Sequence, residues 1–269
     1  MKPQIESDLV HEFIETGKSA DCPVIDTHGH MGPFAGIYFP NASAERMVAT
    51  LEKCGIRKLF FAHHHAMRDS AVGNLEAEAA IAAFPEQLGG YWAVTPLYPE
   101  RVKQEVAEFP RHAGFAGFKI LAAYYNVPIT DPRCAPVWEY AHEDKRPVLV
   151  HTWGGDPCAG CPQIAAIAKR YPQARILMGH AQYGDWDAGI EVAKKFPNVY
   201  LELTAAYHVS GSIDKMVAGG AQDKIVYGED LPWFDPMYGI GAVLFADISD
   251  EARHAILHTN AERIFERWL

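Results

Sequence analysis

The 269-residue sequence has few cysteines and no long hydrophobic segment. Five cysteines are too few, and odd in number, to build a disulfide scaffold, so we expect a reducing compartment and a cytoplasmic location. No segment reaches the roughly 18 consecutive apolar residues of a membrane span. The amino-terminal stretch mixes charged and apolar residues and lacks the unbroken apolar core of a signal peptide. We therefore expect no membrane association.

Basic residues are also scarce relative to acidic ones. The chain has 24 Lys and Arg against 34 Asp and Glu, a net charge of −10. Such a surface repels phosphate backbones, so we expect no nucleic-acid partner. The expected partner is a small-molecule substrate, and a homodimer is left open. The sequence also lacks low-complexity stretches, charge blocks and Pro/Gly/Ser linkers, which favours one domain over residues 1–269.

What the sequence does contain is a repeated strand and helix pattern. Short apolar runs recur about every 30 residues, each followed by a polar loop and a segment with apolar residues three and four apart. The eight runs are Val24–Asp26, Lys58–Ala62, Gly90–Val94, Phe115–Leu121, Val148–Val150, Arg175–Met178, Val199–Leu203 and Ile225–Tyr227. This predicts an α/β fold, a (β/α)8 TIM barrel with a short N-terminal helical extension. A doubly wound open sheet stays open, because periodicity does not show closure.

Polar residues at the carboxyl ends of four runs point to a metal site. In a barrel these ends converge on one mouth, and residues two apart on a strand face the same side. The residues are His28 and His30 in IDTHGH, His151 in PVLVHTW, His180 in RILMGHAQ, and Glu229 with Asp230 in KIVYGEDLPW. Imidazoles and carboxylates are ligands of zinc and its first-row neighbours. Burying such groups together without a cation would be costly.

These motifs resemble the amidohydrolase superfamily, and within it the amidohydrolase-related branch that is similar to aminocarboxymuconate-semialdehyde decarboxylase. The resemblance runs from about residue 22 to the C-terminus and also includes GFAGFKI, YPQARILMGH, FPNVYLELT and ILHTNAERIF. It implies one divalent metal ion, Zn²⁺ with Mn²⁺ or Fe²⁺ as alternatives, held by His28, His30, His151 and Asp230. His180 would then lie beside the metal-bound water as a ligand or a general acid or base.

The resemblance does not imply one reaction, because the branch contains hydrolases, non-oxidative decarboxylases and hydratases. Our first expectation is hydrolysis of a small amide, lactone or cyclic or carboxylic substrate by a metal-activated water, with His180 and Asp230 as the catalytic residues. The alternative is a lyase, a decarboxylase of a small unsaturated or aromatic carboxylic acid. A barrel that binds metal without catalysis is the third option.

Lys119 and Glu202, at the ends of the fourth and seventh runs, are candidates for the substrate site. Lys119 would bind a substrate carboxylate or pair with a buried acid, and a carbamylated lysine bridging two metals, as in binuclear superfamily members, is the less favoured alternative. Glu202 would orient a ligand, contact substrate, or pair with a neighbouring cation.

Histidines and aromatic residues in the following loops are further candidates. Strand alternation puts His63 and His65, rather than the histidine between them, on the barrel side, and His63 is the tentative substrate contact. Trp153 and Trp233 offer an apolar wall. The extra carboxylate Glu229 is interpreted as a rim or helix contact.

Cys158 and Cys161 form a CxxC in the loop after His151. The motif supplies two of the four ligands of a structural zinc site and lacks a thioredoxin-type context, so it is a weak signal for a second metal or a redox function.

Overall fold

The computed structural model describes residues 6–269, which form eight parallel strands in one sheet. The strands are β1 Val24–Met31, β2 Ile56–His63, β3 Leu88–Ala93, β4 Phe115–Ile120, β5 Pro147–Trp153, β6 Arg175–Tyr183, β7 Val199–Glu202 and β8 Ile225–Val226. Each of the eight predicted runs overlaps one of these strands, and four runs extend one residue past the end of the strand, at Val94, Leu121, Leu203 and Tyr227. The strands follow one another in chain order around the sheet, whereas a doubly wound sheet reverses direction. The prediction of a (β/α)8 barrel is confirmed.

Helices alternate with the strands around the outside of the barrel. The α-helices are α1 Asp8–Thr16, α2 Ala44–Lys53, α3 Ser70–Ala83, α4 Pro99–Glu108, α5 Ala122–Tyr125, α6 Ala135–Glu143, α7 Cys161–Arg170, α8 Trp186–Lys195, α9 Ser212–Met216, α10 Pro236–Leu244, α11 Asp250–His254 and α12 Asn260–Phe265. Short 3₁₀ turns cover His64–Met67, Phe109–Arg111, Pro132–Cys134, Ala206–His208, Gln222–Lys224 and Glu266–Trp268, and π-helical turns cover Val217–Ala221 and Ala255–Thr259. The N-terminal extension is α1. Among residues 6–269, no helix is long and apolar enough to cross a membrane.

Helix α2 shows how the sequence encodes these elements. The hydroxyl of Ser43 accepts the N–H of Arg46 and satisfies one of the free donors at the start of the helix. Met47, Val48 and Leu51, spaced one, three and four apart, are buried and face the sheet. The helix is therefore held both by its cap and by its apolar face.

The lower part of the barrel interior is closed by the C-terminal helix. One group of buried side chains gathers there from the strands and from α12: Ile25, Phe60, Tyr91, Leu149, Leu177, Val226, Ala261, Ile264 and Phe265. The Phe265 ring stacks on Phe60 with ring centroids 4.0 Å apart. Since this end is filled by apolar side chains, the polar residues of the strands collect at the opposite, carboxyl-terminal end.

Closure between β1 and the chain after β8 uses single hydrogen bonds rather than a regular ladder. Three backbone bonds cross this seam: Thr27 N–H to Tyr227 O at 3.0 Å, Asp230 N–H to His28 O at 2.7 Å, and His30 N–H to Leu231 O at 2.7 Å. The buried carboxyl group of Asp26 adds a side-chain link, because its Oδ1 accepts the N–H of His28 at 3.0 Å and of Glu229 at 3.1 Å. One oxygen atom therefore joins the first strand to the segment after the last.

We predict that Asp26→Ala destabilises the protein far more than Asp26→Asn does. The alanine variant leaves two buried N–H groups without an acceptor, at about 1–3 kcal/mol each. Burial raises the pKa of Asp26 well above its ordinary value, so the neutral amide of Asn resembles the native side chain and keeps the accepting oxygen. Urea unfolding measures both variants. Equal losses of unfolding free energy would show that the link does not stabilise the seam.

Candidate metal centre

Three side chains meet at the carboxyl-terminal end of β1 and the seam. Ligand atoms of His28, His30 and Asp230 all lie within 4.8 Å of one another. Asp230 Oδ1 is 3.1 Å from Nε2 of His30 and 3.5 Å from Nε2 of His28. This oxygen is buried and has no hydrogen-bond partner. An unpartnered carboxylate oxygen facing two imidazole nitrogens fits a divalent cation between them.

Both imidazoles are held with Nε2 directed at this point. Nδ1 of His28 donates to Glu202 Oε2 at 2.6 Å, and Nδ1 of His30 donates to the carbonyl oxygen of Ala62 at 3.1 Å. A proton on Nδ1 leaves the lone pair on Nε2, which is the form that binds metals. We infer that these two acceptors set the tautomers of the two histidines.

Glu202 lies behind His28 and is fully buried. Its Oε1 accepts the N–H and hydroxyl of Thr204 at 2.7 and 2.6 Å, and its Oε2 also accepts the N–H of His180 at 3.3 Å. Each of these hydrogen-bond partners donates to the Glu202 carboxylate. Of the three roles expected for Glu202, the structure supports orientation of a ligand, because these bonds hold its oxygens away from the open mouth.

Lys119 is buried in the same mouth, with Nζ 2.7 Å from Nε2 of His28. Burial lowers its pKa to about 8, although Asp230 and Glu202 oppose that change. The amine donates to the lone pair that a metal ion would also use. Metal binding at His28 and this hydrogen bond therefore exclude each other, and a bound ion would free the amine for another partner.

His151 and His180 form a pair beside the three clustered residues. His180 Nδ1 lies 3.2 Å from the carbonyl oxygen of Thr204, which can only accept, so His180 carries its proton on Nδ1. Its Nε2 then accepts from Nδ1 of His151 at 2.9 Å, and Nε2 of His151 keeps a lone pair. Burial and the nearby His28 lower the pKa of His180 to about 4. Both rings are neutral, and His151 lies outside the compact group of three.

The backbone is strained where these side chains emerge. His180, Ala181 and Gln182 have φ of +69°, +48° and +56°, and Asp230 has φ of +70°. Residues with a Cβ rarely adopt this left-handed conformation, which costs on the order of 1–3 kcal/mol each and is concentrated at functional sites. The strain supports a functional role for the segments that carry His180 and Asp230.

His63 does not belong to the group formed by His28, His30 and Asp230, and its contact with substrate stays a prediction. Strand β2 ends at His63 and a 3₁₀ turn follows, so the alternation of a strand does not continue into the next residues. Nδ1 of His63 lies 3.1 Å from Oε2 of Glu76. His63 lines a cavity of about 640 Å³ that none of the three clustered residues reaches.

His64 lies next to the centre instead. Its ring stacks on His30 with centroids 5.1 Å apart and an interplanar angle of 17°. Its Nδ1 donates to the carbonyl oxygen of Gly32 at 2.7 Å, and its Nε2 accepts from the indole of Trp233 at 3.0 Å. Sequence reasoning missed this residue because alternation pointed to its neighbours.

Aromatic rings flank the mouth on two sides. Trp153 lies beside His151 and His180, with ring centroids 5.9 and 5.5 Å apart, and 40% of it is exposed. Trp233 packs against Phe39 on the other side, at 4.8 Å. Both rings lie beside the mouth, and their role as a wall of the substrate site stays a prediction.

Glu229 is not a rim residue. It is fully buried, and its carboxyl oxygens accept the hydroxyls of Tyr207 at 2.9 Å and Tyr227 at 2.6 Å. Burial raises its pKa to about 9, so the group is neutral.

Cys158 and Cys161 belong to no group of three or more possible metal ligands among residues 6–269.

Comparisons with known proteins identify relatives of this barrel. A family model described as amidohydrolase matches residues 25–267. No curated protein sequence matches the chain. An uncharacterised TIM-barrel protein from Bordetella bronchiseptica has 19% identity and a TM-score of 0.76, covering 91% of this chain and 98% of that one.

Two structures of named enzymes are similar as well. One is 5-carboxyvanillate decarboxylase from Novosphingobium aromaticivorans with manganese and 4-hydroxy-3-methoxy-5-nitrobenzoic acid, at 16% identity, TM-score 0.71, and coverage of 90% of this chain and 96% of that one. The other is 2,6-dihydroxybenzoate decarboxylase from Rhizobium, at 14% identity, TM-score 0.71, and coverage of 91% and 99%. At these identities the likeness establishes the fold.

We predict that Glu202→Gln weakens divalent metal binding about 10- to 100-fold. The amide nitrogen would face a donor in either orientation. Turned to His28, it removes the acceptor of Nδ1; turned to Thr204, it opposes two donors and leaves His28 a neutral, weaker acceptor. His28→Ala and His30→Ala should lower the affinity further, whereas His180→Ala should retain most of it. Competition with a chromogenic chelator measures Zn²⁺ and Mn²⁺ affinity, with Glu100→Gln, an exposed acid that pairs with Lys103, as the control. Unchanged affinity in Glu202→Gln would remove Glu202 from the centre.

Proposed function

The chain belongs to the amidohydrolase family, whose model it matches over residues 25–267, and on that premise we propose that it is a metal-dependent decarboxylase of a small aromatic or unsaturated carboxylic acid. Sequence analysis gave this reaction as the alternative to hydrolysis. Two similar enzymes of named activity are decarboxylases, of 5-carboxyvanillate and of 2,6-dihydroxybenzoate, and one was crystallised with manganese. Their chemistry supports the lyase over the hydrolase.

The observation that carries the proposal is the buried amine of Lys119 beside the three clustered residues. His28, His30 and Asp230 would hold one divalent ion, with Nε2 of His151 as the further ligand. Zinc remains the first candidate and manganese or iron the alternatives. With the lone pair of His28 engaged by such an ion, the Lys119 ammonium would be free to bind an anion. A substrate carboxylate is the partner that such a cation selects.

A bound divalent ion supplies positive charge that polarises and orients an oxygen of the substrate. The protein's own groups supply the rest of the site. Lys119 holds the carboxylate, and the rings of Trp153 and Trp233 exclude water and stack against a flat substrate. Glu202 keeps His28 in the required tautomer throughout.

The reaction breaks the bond between the substrate carbon and its carboxylate. The electron pair stays on that carbon, neutral CO₂ leaves, and one proton is added in its place. We assign the delivery of this proton to His180. The ring is neutral in the free protein, and the negative charge of an incoming carboxylate raises its proton affinity, so the substrate complex takes up the proton that the reaction consumes.

Hydrolysis is the second candidate, and one observation favours it. The neutral His151 and His180 pair can accept a proton in the free protein, which suits a general base acting on water. A small lactone or amide would then be the substrate.

We predict CO₂ release from substituted benzoates or unsaturated acids by the metal-loaded protein. In D₂O the product should carry one deuterium at the carbon that lost its carboxylate, because the proton is taken up from solvent through His180. Mass spectrometry measures both outcomes, and His180→Ala should lower turnover about 10²-fold or more. Release of acids from lactones or amides without CO₂ would overturn the decarboxylase in favour of the hydrolase.

We predict that Lys119→Met raises KM about 10- to 150-fold, which corresponds to the loss of a charged hydrogen bond worth about 1.5–3 kcal/mol. Metal affinity should not fall, because the variant removes a competitor for the His28 lone pair. The control is Lys103→Met, an exposed residue on α4 that pairs with Glu100. An unchanged KM with a lowered Tm would instead make Lys119 a structural partner of the buried acids.

A further inference from the structure

A second cluster of metal-binding residues lies at the other end of β1. Cys22 precedes the strand by two residues, His254 ends α11, and His258 lies in the π-helical turn that follows. The Cys22 sulfur and one ring nitrogen of each histidine lie within 4.8 Å of one another. We propose that Cys22, His254 and His258 form a zinc site that joins the start of β1 to the C-terminal helices.

The two histidines already face each other as neighbouring ligands would. Nδ1 of His254 is 3.0 Å from Nε2 of His258. Tetrahedral zinc with bonds of about 2.0–2.1 Å sets two nitrogens about 3.3 Å apart, so the rings need to separate by only about 0.3 Å. Because the two rings already lie side by side, little conformational freedom is lost when zinc binds.

Glu262 fixes which nitrogen of His258 is available. Nδ1 of His258 is 3.1 Å from Glu262 Oε1, and an ionised carboxylate can only accept, so the proton lies on Nδ1. The lone pair of Nε2 then accepts from Nδ1 of His254, so zinc binding would replace this hydrogen bond and move the His254 proton from Nδ1 to its own Nε2. A carboxylate behind a ligating imidazole is the usual support for a metal-binding histidine.

Cys22 makes the donor set selective for zinc. A thiolate with two imidazoles suits Zn²⁺ better than Mn²⁺ or Mg²⁺, which prefer oxygen. Burial, with the carboxylates of Glu12 and Glu262 adding to it, raises the pKa of Cys22 to about 12. The unloaded residue is therefore a thiol. Zinc binding breaks the S–H bond, forms an S–Zn bond and releases the proton to solvent, while the surrounding acidic charge favours the cation.

The position of the cluster points to a structural role. Six residues of extended chain separate Cys22 from His28, which is about 20 Å at 3.3 Å per residue. The cluster is therefore remote from the centre proposed to be catalytic and does not depend on it. A shared ion would cross-link residues far apart in sequence, and such links stabilise by restricting the unfolded chain.

Cobalt substitution tests the site directly. Co²⁺ bound to a thiolate gives a charge-transfer absorption in the near ultraviolet, and the cluster of His28, His30 and Asp230 has no sulfur to produce it. We expect Co²⁺ titration of the full chain to give this absorption and Cys22→Ser to abolish it. Cys161→Ser is the matched control, because it removes a thiol of the CxxC and should retain the band.

Metal content and stability complete the test. We expect two zinc ions per chain, one lost in Cys22→Ser or His254→Ala and the other in His30→Ala, which keeps the cobalt band. Zinc should raise Tm of the chain more than that of Cys22→Ser, with turnover at 25 °C unchanged in that variant. The absence of a thiolate band, or a band that survives in Cys22→Ser, would overturn the proposal. Neither result depends on the reaction at the other centre.

Discussion

Closure of the barrel at the seam between β1 and the chain after β8 is the interaction on which the rest of the site depends. The N–H of Asp230 donates to the carbonyl oxygen of His28, so two clustered residues are joined through their backbones before their side chains meet. Asp26 binds both sides of the same seam. The spacing of the metal-binding side chains is therefore set by main-chain hydrogen bonds, which vary less than side-chain packing does.

The mouth also balances a dense set of buried acids. Burial raises the pKa of Asp26 well above its ordinary value and that of Glu229 to about 9, whereas imidazoles hold the pKa of Asp230 below its ordinary value although burial opposes ionisation. Lys119 supplies a resident positive charge beside Glu202 and Asp230. Charges without such partners would be expensive to bury. Asp26 and Glu229 thus act as hydrogen-bonding groups, and the negative charge of Asp230 lies where a divalent cation could bind.

The sequence predicted the parts of the site that depend on regular geometry. Alternation along β1 placed His28 and His30 on one side, and barrel topology brought Asp230 to them. The same rule did not select His64, because β2 ends at His63 and the 3₁₀ turn that follows puts the His64 ring beside His30. Sequence periodicity alone does not show at which residue a strand ends.

Long-range contacts account for the remaining differences. The burial of Glu229 depends on hydroxyls from Tyr207 and Tyr227, and the support of His28 by Glu202 depends on a side chain 174 residues away. Neither partner could be chosen from the sequence, because several acids of suitable length follow the strands. Sequence patterns give the direction of a side chain, whereas its partner requires the folded structure.

The seam also has a consequence for how the protein is made. His28 and His30 leave the ribosome early, whereas Asp230 follows about 200 residues later, which is about 10–40 s at typical synthesis rates of about 5–20 residues per second. During that interval the nascent chain gains the histidines of the proposed centre, including His151, but lacks its carboxylate. The three clustered residues can therefore come together only after nearly the whole chain has been synthesised and the seam between β1 and the segment after β8 has closed.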